Sequence, residues 1–358
     1  MLGRIIRRFF LLLLAAVILV GGLAGLMVKE VLTGPSEAAR DRLCLALTEN
    51  EKTAWIPGLF LDPAVVLDIT GREEESLPPL PQMQEAELPV NTEIPESDDD
   101  EWADYPDGIR IEQIEGLSFK AYAMMIRDPS RVYLGLSSND GFSSTKPGKR
   151  INEAKESENA AAAINSGAFF DDGTSNIAVG ATPQGLVFSG GNCVWTYGTP
   201  PMKGFAGFDQ DNRLVVTREN IKKDQAEELG IRDGCCFGPA LIINGERNEE
   251  AYDPDSGWNP RTAIGQRKDG TVIFLCIDGR QAASVGGTFA DVIDVMESLG
   301  AYNACNMDGG SSTVMMYRDT LGKYGEAGRV HMVNSYSQLQ LYPRRMPDYW
   351  MVRPLEKE

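Results

Sequence analysis

Histidine is almost absent from this chain, with His331 the single one in 358 residues. A Ser-His-Asp triad would have to use it, and no Gly-x-Ser-x-Gly elbow accompanies it, so the sequence does not support serine hydrolysis. Cysteine is also scarce. The six present form neither a disulfide framework nor a zinc-ligand spacing. Cys235 and Cys236 are neighbours and strained as a pair with each other, while Cys276 and Cys305 read as core thiols, a bridge between them being the alternative. No cofactor is indicated. A divalent cation would want several oxygen ligands, and only an acid pair is visible. Clustered lysine and arginine are missing from the part expected to fold, which argues against a nucleic-acid partner.

Acid is what the chain has in excess, with a formal charge of −18. The excess is local. Residues 62–107 carry fifteen acids against Arg72, a net of −14, which leaves −4 for everything else. That stretch is also rich in proline (Leu77-Pro-Pro-Leu-Pro81) and cannot bury enough apolar surface to offset its ordering entropy, so it reads as an extended stalk.

Ahead of the stalk, Arg4, Arg7 and Arg8 precede an uncharged run from Phe9 to Val28. At about 1.5 Å per residue this run covers roughly 30 Å, the thickness of a bilayer core. The expectation is a single membrane helix with the bulk of the chain outside the cytoplasm; a cleaved signal peptide is the alternative and leads to the same compartment. The organisation predicted is a cytoplasmic tail (1–8), a transmembrane signal anchor (9–28), a juxtamembrane segment and stalk (29–108), a folded domain (109–345) and a C-terminal tail (346–358).

The folded domain reads as α+β, a mixed sheet with antiparallel hairpins and one βαβ unit. Strands are expected at 111–114, 119–126 and 131–136, an Ala-rich helix over 151–163, and hairpins at Asn244-Gly245 and Lys268-Asp269-Gly270. The βαβ unit holds the chemistry. Thr271 to Ile277 is a continuous apolar run ending at Asp278-Gly279-Arg280. A helix follows, with Thr288 and Asp291 as a capping box and Phe289, Val292, Ile293, Met296 and Leu299 on one face. A second strand, Tyr302 to Met307, ends at Asp308-Gly309-Gly310-Ser311-Ser312-Thr313.

In such a unit the two strands run parallel, so Asp278 and Asp308 meet at one sheet edge, where open α/β sheets bind ligands. The amides of Gly309, Gly310 and Ser311 are candidates for an anion nest, and hairpin geometry brings Arg261 beside Asp278. Two carboxylates flanked by Arg261 and Arg280 suit either glycosidic cleavage or phosphate-ester chemistry.

Six blocks in order make the pattern specific: Ala163-Ile-Asn-Ser-Gly-Ala-Phe-Phe170, Gly238-Pro-Ala-Leu241, Asn259-Pro-Arg-Thr-Ala-Ile-Gly265, Ile277-Asp-Gly-Arg280, Asn306-Met-Asp-Gly-Gly-Ser-Ser-Thr313 and Arg329-Val-His-Met-Val-Asn334. Together they resemble the phosphodiester glycosidase family. The resemblance implies hydrolysis of a sugar 1-phosphodiester at the anomeric carbon, with a carbohydrate phosphodiester as partner. Carried over, Asp278 and Asp308 become the catalytic pair and Asn165, Arg261, Arg280, Gly309, Gly310 and Ser311 the substrate-binding set. Ser166 and Ser311 stand where the family commonly has glycine, which predicts a narrower backbone approach and affects substrate identity. A non-catalytic module for anionic glycans and a metal-dependent phosphodiesterase are the competing expectations.

Overall fold

The computed structural model describes residues 22, 25–48, 53, 55–66, 69, 100–137, 142, 147–170, 180, 182–319, 321–323, 327–335 and 343–355. The expected membrane span, 9–28, lies almost wholly outside them. Among the described residues no helix is long and apolar enough to cross a membrane. The stalk core also falls outside. Two compact units divide the chain, residues 1–80 and 81–358. The first holds the helix Glu37–Thr48 and a small core of Leu32, Cys44 and Ile69.

The second unit is α+β, built on a seven-stranded antiparallel sheet. Its order is Ile109–Glu115, Lys120–Ile126, Val272–Ile277, Arg261–Arg267, Ala301–Met307, Ala240–Ile243 and Glu246–Arg247. One face packs on the helix Phe289–Ser298 through Val292, Ile293 and Met296. The opposite face shares a core with two five-stranded sheets, contributing Met124, Phe274, Cys305 and Met307 against Phe208, Val216, Trp350 and Val352. A central strand covered on both faces has no solvent side, which is why Val272–Ile277 is apolar at every position rather than alternating.

The capped helix forms as expected: Thr288 Oγ1 accepts from the Asp291 amide at 3.1 Å, and Asp291 accepts from the Thr288 amide at 2.8 Å. Asn244 and Gly245 both take positive φ, 55° and 81°, as a two-residue hairpin requires.

Four expectations need correction. The strands ending at Asp278 and Asp308 are parallel but not neighbours, because Arg261–Arg267 lies between them and pairs antiparallel with both. The Ala-rich helix stops at Glu158, and Ala162–Asn165 is a buried strand. The segment read as a C-terminal tail contains the strand Asp348–Val352, inserted between Ala162–Asn165 and Val132–Leu136 with Tyr349 and Trp350 fully buried. At the other end, the fold begins before residue 109: Trp102 is buried, and the Tyr317 hydroxyl donates to Asp107 at 2.5 Å.

The intervening strand also settles the cysteine pair. Cys276 sits opposite Thr262 and Cys305 opposite Ile264, so two strand spacings of about 4.8 Å separate them, too far for a disulfide. Both are buried free thiols held well above the ordinary thiol range by burial.

Candidate active site

The Arg261 strand aligns the two aspartate strands. Arg261 pairs with Ile277 and Thr262 with Met307, so Asp278 and Asp308 each lie one residue past the same edge of the sheet, on either side of the Pro260-Arg261 segment.

Asp278 is 3% exposed. Its amide donates to the Lys120 carbonyl at 2.8 Å, extending the ladder by one step. Its carboxylate accepts from the Ser335 amide at 3.1 Å and 3.2 Å and from Asn334 Nδ2 at 3.3 Å. Burial pushes this carboxyl up to about 6, while the Ser335 and Asn334 donors and the Lys120 charge oppose the rise. Tyr122 stands nearby. Burial, and then the Asp278 charge, hold its phenol above the ordinary range, and the Ser335 side chain hydrogen-bonds to it. Asn334 also accepts from the Met315 amide at 2.7 Å and donates to the Thr313 carbonyl at 3.3 Å, which ties Asp278 to the segment after Asp308.

Asp308 is half-buried, and its backbone is clamped by the Asn165-Ser166 dipeptide. The Asp308 amide donates to the Ser166 carbonyl at 3.1 Å, and Asn165 Nδ2 donates to the Asp308 carbonyl at 2.5 Å. Asn165 Oδ1 accepts from Thr262 Oγ1 at 2.9 Å and from the Val314 amide at 3.1 Å. Asn165 is fully buried and holds the Asp308 backbone, a clamping position where the resemblance implies a substrate-binding one.

Arg261 is also placed differently from the expectation. Side chains alternate along a strand, and Arg261, opposite Ile277, points with it toward the Phe289–Ser298 helix while Asp278 points the other way. Its guanidinium lies 4.1 Å from the Phe289 ring centroid and donates to the carbonyls of Gly287, Ser256 and Gly257 at 3.0, 2.9 and 3.1 Å. It fastens these loops behind the aspartates.

Arg280 stays at the edge. It is half-buried at a φ of 57°, and its Nη2 donates to Asn259 Oδ1 at 2.9 Å. The guanidinium runs beside Gly310, 3.5 Å from where a Cβ there would stand. The Gly310 amide donates to the Pro260 carbonyl at 2.8 Å, and a Cβ on Gly309 would lie 2.8 Å from that same oxygen. Close packing on Pro260 therefore requires glycine at 309, and a positive φ of 57° favours it at 310. The Gly310 amide does not serve a nest, which leaves those of Gly309 and Ser311 as the turn's candidates for an incoming anion.

Ser166 does not narrow the approach as its family position suggested. It is buried, and its hydroxyl lies 2.8 Å from the Asp348 carbonyl oxygen and also contacts Asp348 Oδ1. Among the described residues no group of three or more His, Cys, Asp or Glu side chains is disposed to hold a metal ion.

Lys120, Tyr122, Asn334 and Ser335 were not among the residues singled out from sequence. Asn334 closes one of the six motif blocks and was available to that reading; the other three come to Asp278 through register and loop contact, which no local pattern records.

With the edge described, comparison with known proteins decides the family. The sequence profile of phosphodiester glycosidase matches residues 158–353, more than half of the chain. The chain belongs to the phosphodiester glycosidase family. The SPbeta prophage-derived uncharacterized protein YomE of Bacillus subtilis (strain 168) is 32% identical over 109 residues, a match spanning 30% of this chain and 17% of YomE. The zebrafish N-acetylglucosamine-1-phosphodiester alpha-N-acetylglucosaminidase catalytic domain, solved as auto-inhibited by its pro-peptide, shares the fold: 69% of this chain and 82% of that one superpose with a TM-score of 0.51 at 19% identity. Every block that clamps the phosphodiester glycosidase edge here, from Asn165 to Asn334, falls inside the matched range.

Proposed function

We propose that this phosphodiester glycosidase domain hydrolyses a sugar 1-phosphodiester of a surface glycan or wall polymer, with Asp278 as the ionised carboxylate of the reaction. The observation that carries the proposal is the setting of Asp278. A buried carboxylate raised to about 6 is a competent proton acceptor near neutral pH, and the backbone amide of Ser335, the side-chain amide of Asn334 and the charge of Lys120 all favour its anionic form.

In this reading a water attacks the anomeric carbon and gives its proton to Asp278. The bond from that carbon to the phosphate oxygen breaks, and its electron pair leaves with the phosphate monoester. Phosphate is a good leaving group, so strong acid assistance is unnecessary. Arg280 with the Gly309 and Ser311 amides receives the phosphodiester, a charged acceptor for which arginine is well suited. The run 9–28 and the acidic stretch after it fit a domain anchored at the membrane and displayed outside the cytoplasm.

Incubation of the full chain with a synthetic N-acetylglucosamine 1-(methyl phosphate), read for reducing sugar, tests the activity. Release that disappears in Asp278→Asn supports the proposal. Saturable binding with no sugar released over a range of such esters points to a binding module instead.

A further inference from the structure

A cavity of about 250 Å³ lies between the hairpin loop Glu115–Lys120 and the loop Ala282–Val285. Its lining joins polar side chains, Glu115, Ser118, Lys120 and Ser284, to exposed apolar ones. Leu117 is fully exposed, Val285 is 47% exposed, and Ala282 and Ala283 are exposed as well. Neither loop is loosely held. The Val285 amide donates to the Ser118 carbonyl at 2.7 Å, Ser118 Oγ to the Gly286 carbonyl at 3.0 Å, and the Lys120 amide to Ser284 Oγ at 2.9 Å. Ser284 Oγ in turn donates to the Asp278 carbonyl at 2.6 Å, and the Arg280 amide to the Val285 carbonyl at 2.9 Å. One hydrogen-bonded unit thus contains an apolar rim, Lys120, Asp278 and Arg280.

Charge places the polar end. Ala121 is the register partner of Ile277, which sets Lys120 directly opposite Asp278 across the strand pair, and Lys120 is close enough to lower the Asp278 carboxyl. Its other acidic neighbour is Glu115, at 3.8 Å and mostly exposed, a contact of the kind that contributes little and yields readily to a better anion. Lys120 therefore offers a cation at one end of the cavity, and aliphatic side chains continue away from it.

We propose that this cavity is the leaving-group subsite, taking an aliphatic alcohol esterified to the phosphate along Leu117 and Val285, with Lys120 as the cation on that side of the ester. The proposal rests on the hydrolase reading for its place in a reaction, but the binding it predicts does not require turnover. It deepens the substrate class: the group beyond the phosphate is a hydrocarbon alcohol rather than a second sugar or a nucleoside.

The test is binding of methyl, butyl and octyl phosphate to the full chain by calorimetry, for the wild type, Leu117→Ser/Val285→Ser and Leu355→Ser, an exposed leucine remote in sequence from both loops. Burial of only two methylenes gives on the order of tenfold. The wild type and Leu355→Ser should therefore bind octyl phosphate at least about tenfold tighter than methyl phosphate. The double variant should lose most of that dependence on chain length. Lys120→Gln should weaken all three ligands while keeping the dependence. Affinity in the wild type that ignores chain length, or a double variant that retains the full dependence, overturns the proposal. Chain-length-dependent binding in a protein that releases no sugar from any phosphodiester would leave the subsite standing and remove the hydrolase reading.

Discussion

Ser335 gives one backbone amide to both oxygens of the Asp278 carboxylate, at 3.1 and 3.2 Å. The donor comes from a loop that follows the strand Arg329–Met332, in a different sheet from the one that ends at Asp278. The carboxylate is thus held between two layers of the domain. Its donors stabilise the anion that burial destabilises, and the balance leaves it titrating at about 6.

A pH profile follows from that value. If Asp278 works as the anion, kcat/KM falls as pH drops through about 6 and levels off above it. Asp278→Asn should lower kcat by about a hundredfold or more, the usual range for loss of a general base, with thermal unfolding little changed because the amide can still accept from Ser335. A profile that rises as pH falls through 6 would reassign Asp278 as the acid.

Arg280 supplies a different kind of test, because it occupies a left-handed backbone conformation at φ 57°. That conformation costs an L-residue about 1 kcal/mol or more, a strain glycine lacks, while glycine adds a similar entropy to the unfolded chain. Arg280→Gly should accordingly leave stability within about 1 kcal/mol of wild type. It should raise KM strongly, as Arg280→Lys should to a lesser degree, since lysine cannot reproduce the fork that Arg280 presents beside Gly310 and Asn259. Chemical unfolding and steady-state kinetics on the pair check both halves.

Asn165 is expected to behave as a structural residue with a catalytic phenotype. Asn165→Ala strands the Val314 amide and the Asp308 carbonyl, each buried group costing about 1–3 kcal/mol when unpaired. An unfolding free energy from urea titration lowered by that order, together with a fall in kcat and an unchanged KM, would mark Asn165 as a clamp on Asp308. A rise in KM alone would instead give it the substrate-binding role that the resemblance implies.

Asp348 makes stability depend on pH. Its contacts with Ser166 need two protons between them, since the hydroxyl has one to give and touches both the Asp348 carbonyl and Oδ1; a protonated carboxyl satisfies both. Burial raises this group to about 7, and its Oδ2 has no hydrogen-bond partner. A carboxyl raised in the folded state contributes stability that is fully present below its unfolded value of 3.8 and is lost as pH rises through about 7. Between pH 5 and pH 8 the loss from this group is roughly 2 to 3 kcal/mol. Asp348→Asn should flatten the unfolding free energy across that range, and an unaltered pH dependence would show that Asp348 does not titrate there.

The legible parts of this molecule were those written locally. The Thr288–Asp291 capping box, the Asn244-Gly245 turn and the unbroken apolar run before Asp278 each announce their structure within a few residues, and each formed as expected. Register carried further than composition: hairpin geometry correctly put Arg261 beside the Asp278 strand end. It did not say which face the side chain takes, and that depends on alternation from Ile277 and on the Phe289 ring behind it. The strand Asp348–Val352 was missed because it looks like a tail until the sheet into which it inserts exists. Ser335 and Lys120 reach Asp278 from positions 57 residues later and in the neighbouring strand, with no motif of their own.

Hydrolysis of a sugar 1-phosphodiester in water enriched in oxygen-18 tests the central claim most directly. Attack at the anomeric carbon, with Asp278 taking the proton, puts the label in the released sugar and none in the phosphate monoester. Label in the phosphate would mean that the phosphorus–oxygen bond is the one broken, and would contradict the assignment of this edge as a glycosidase site.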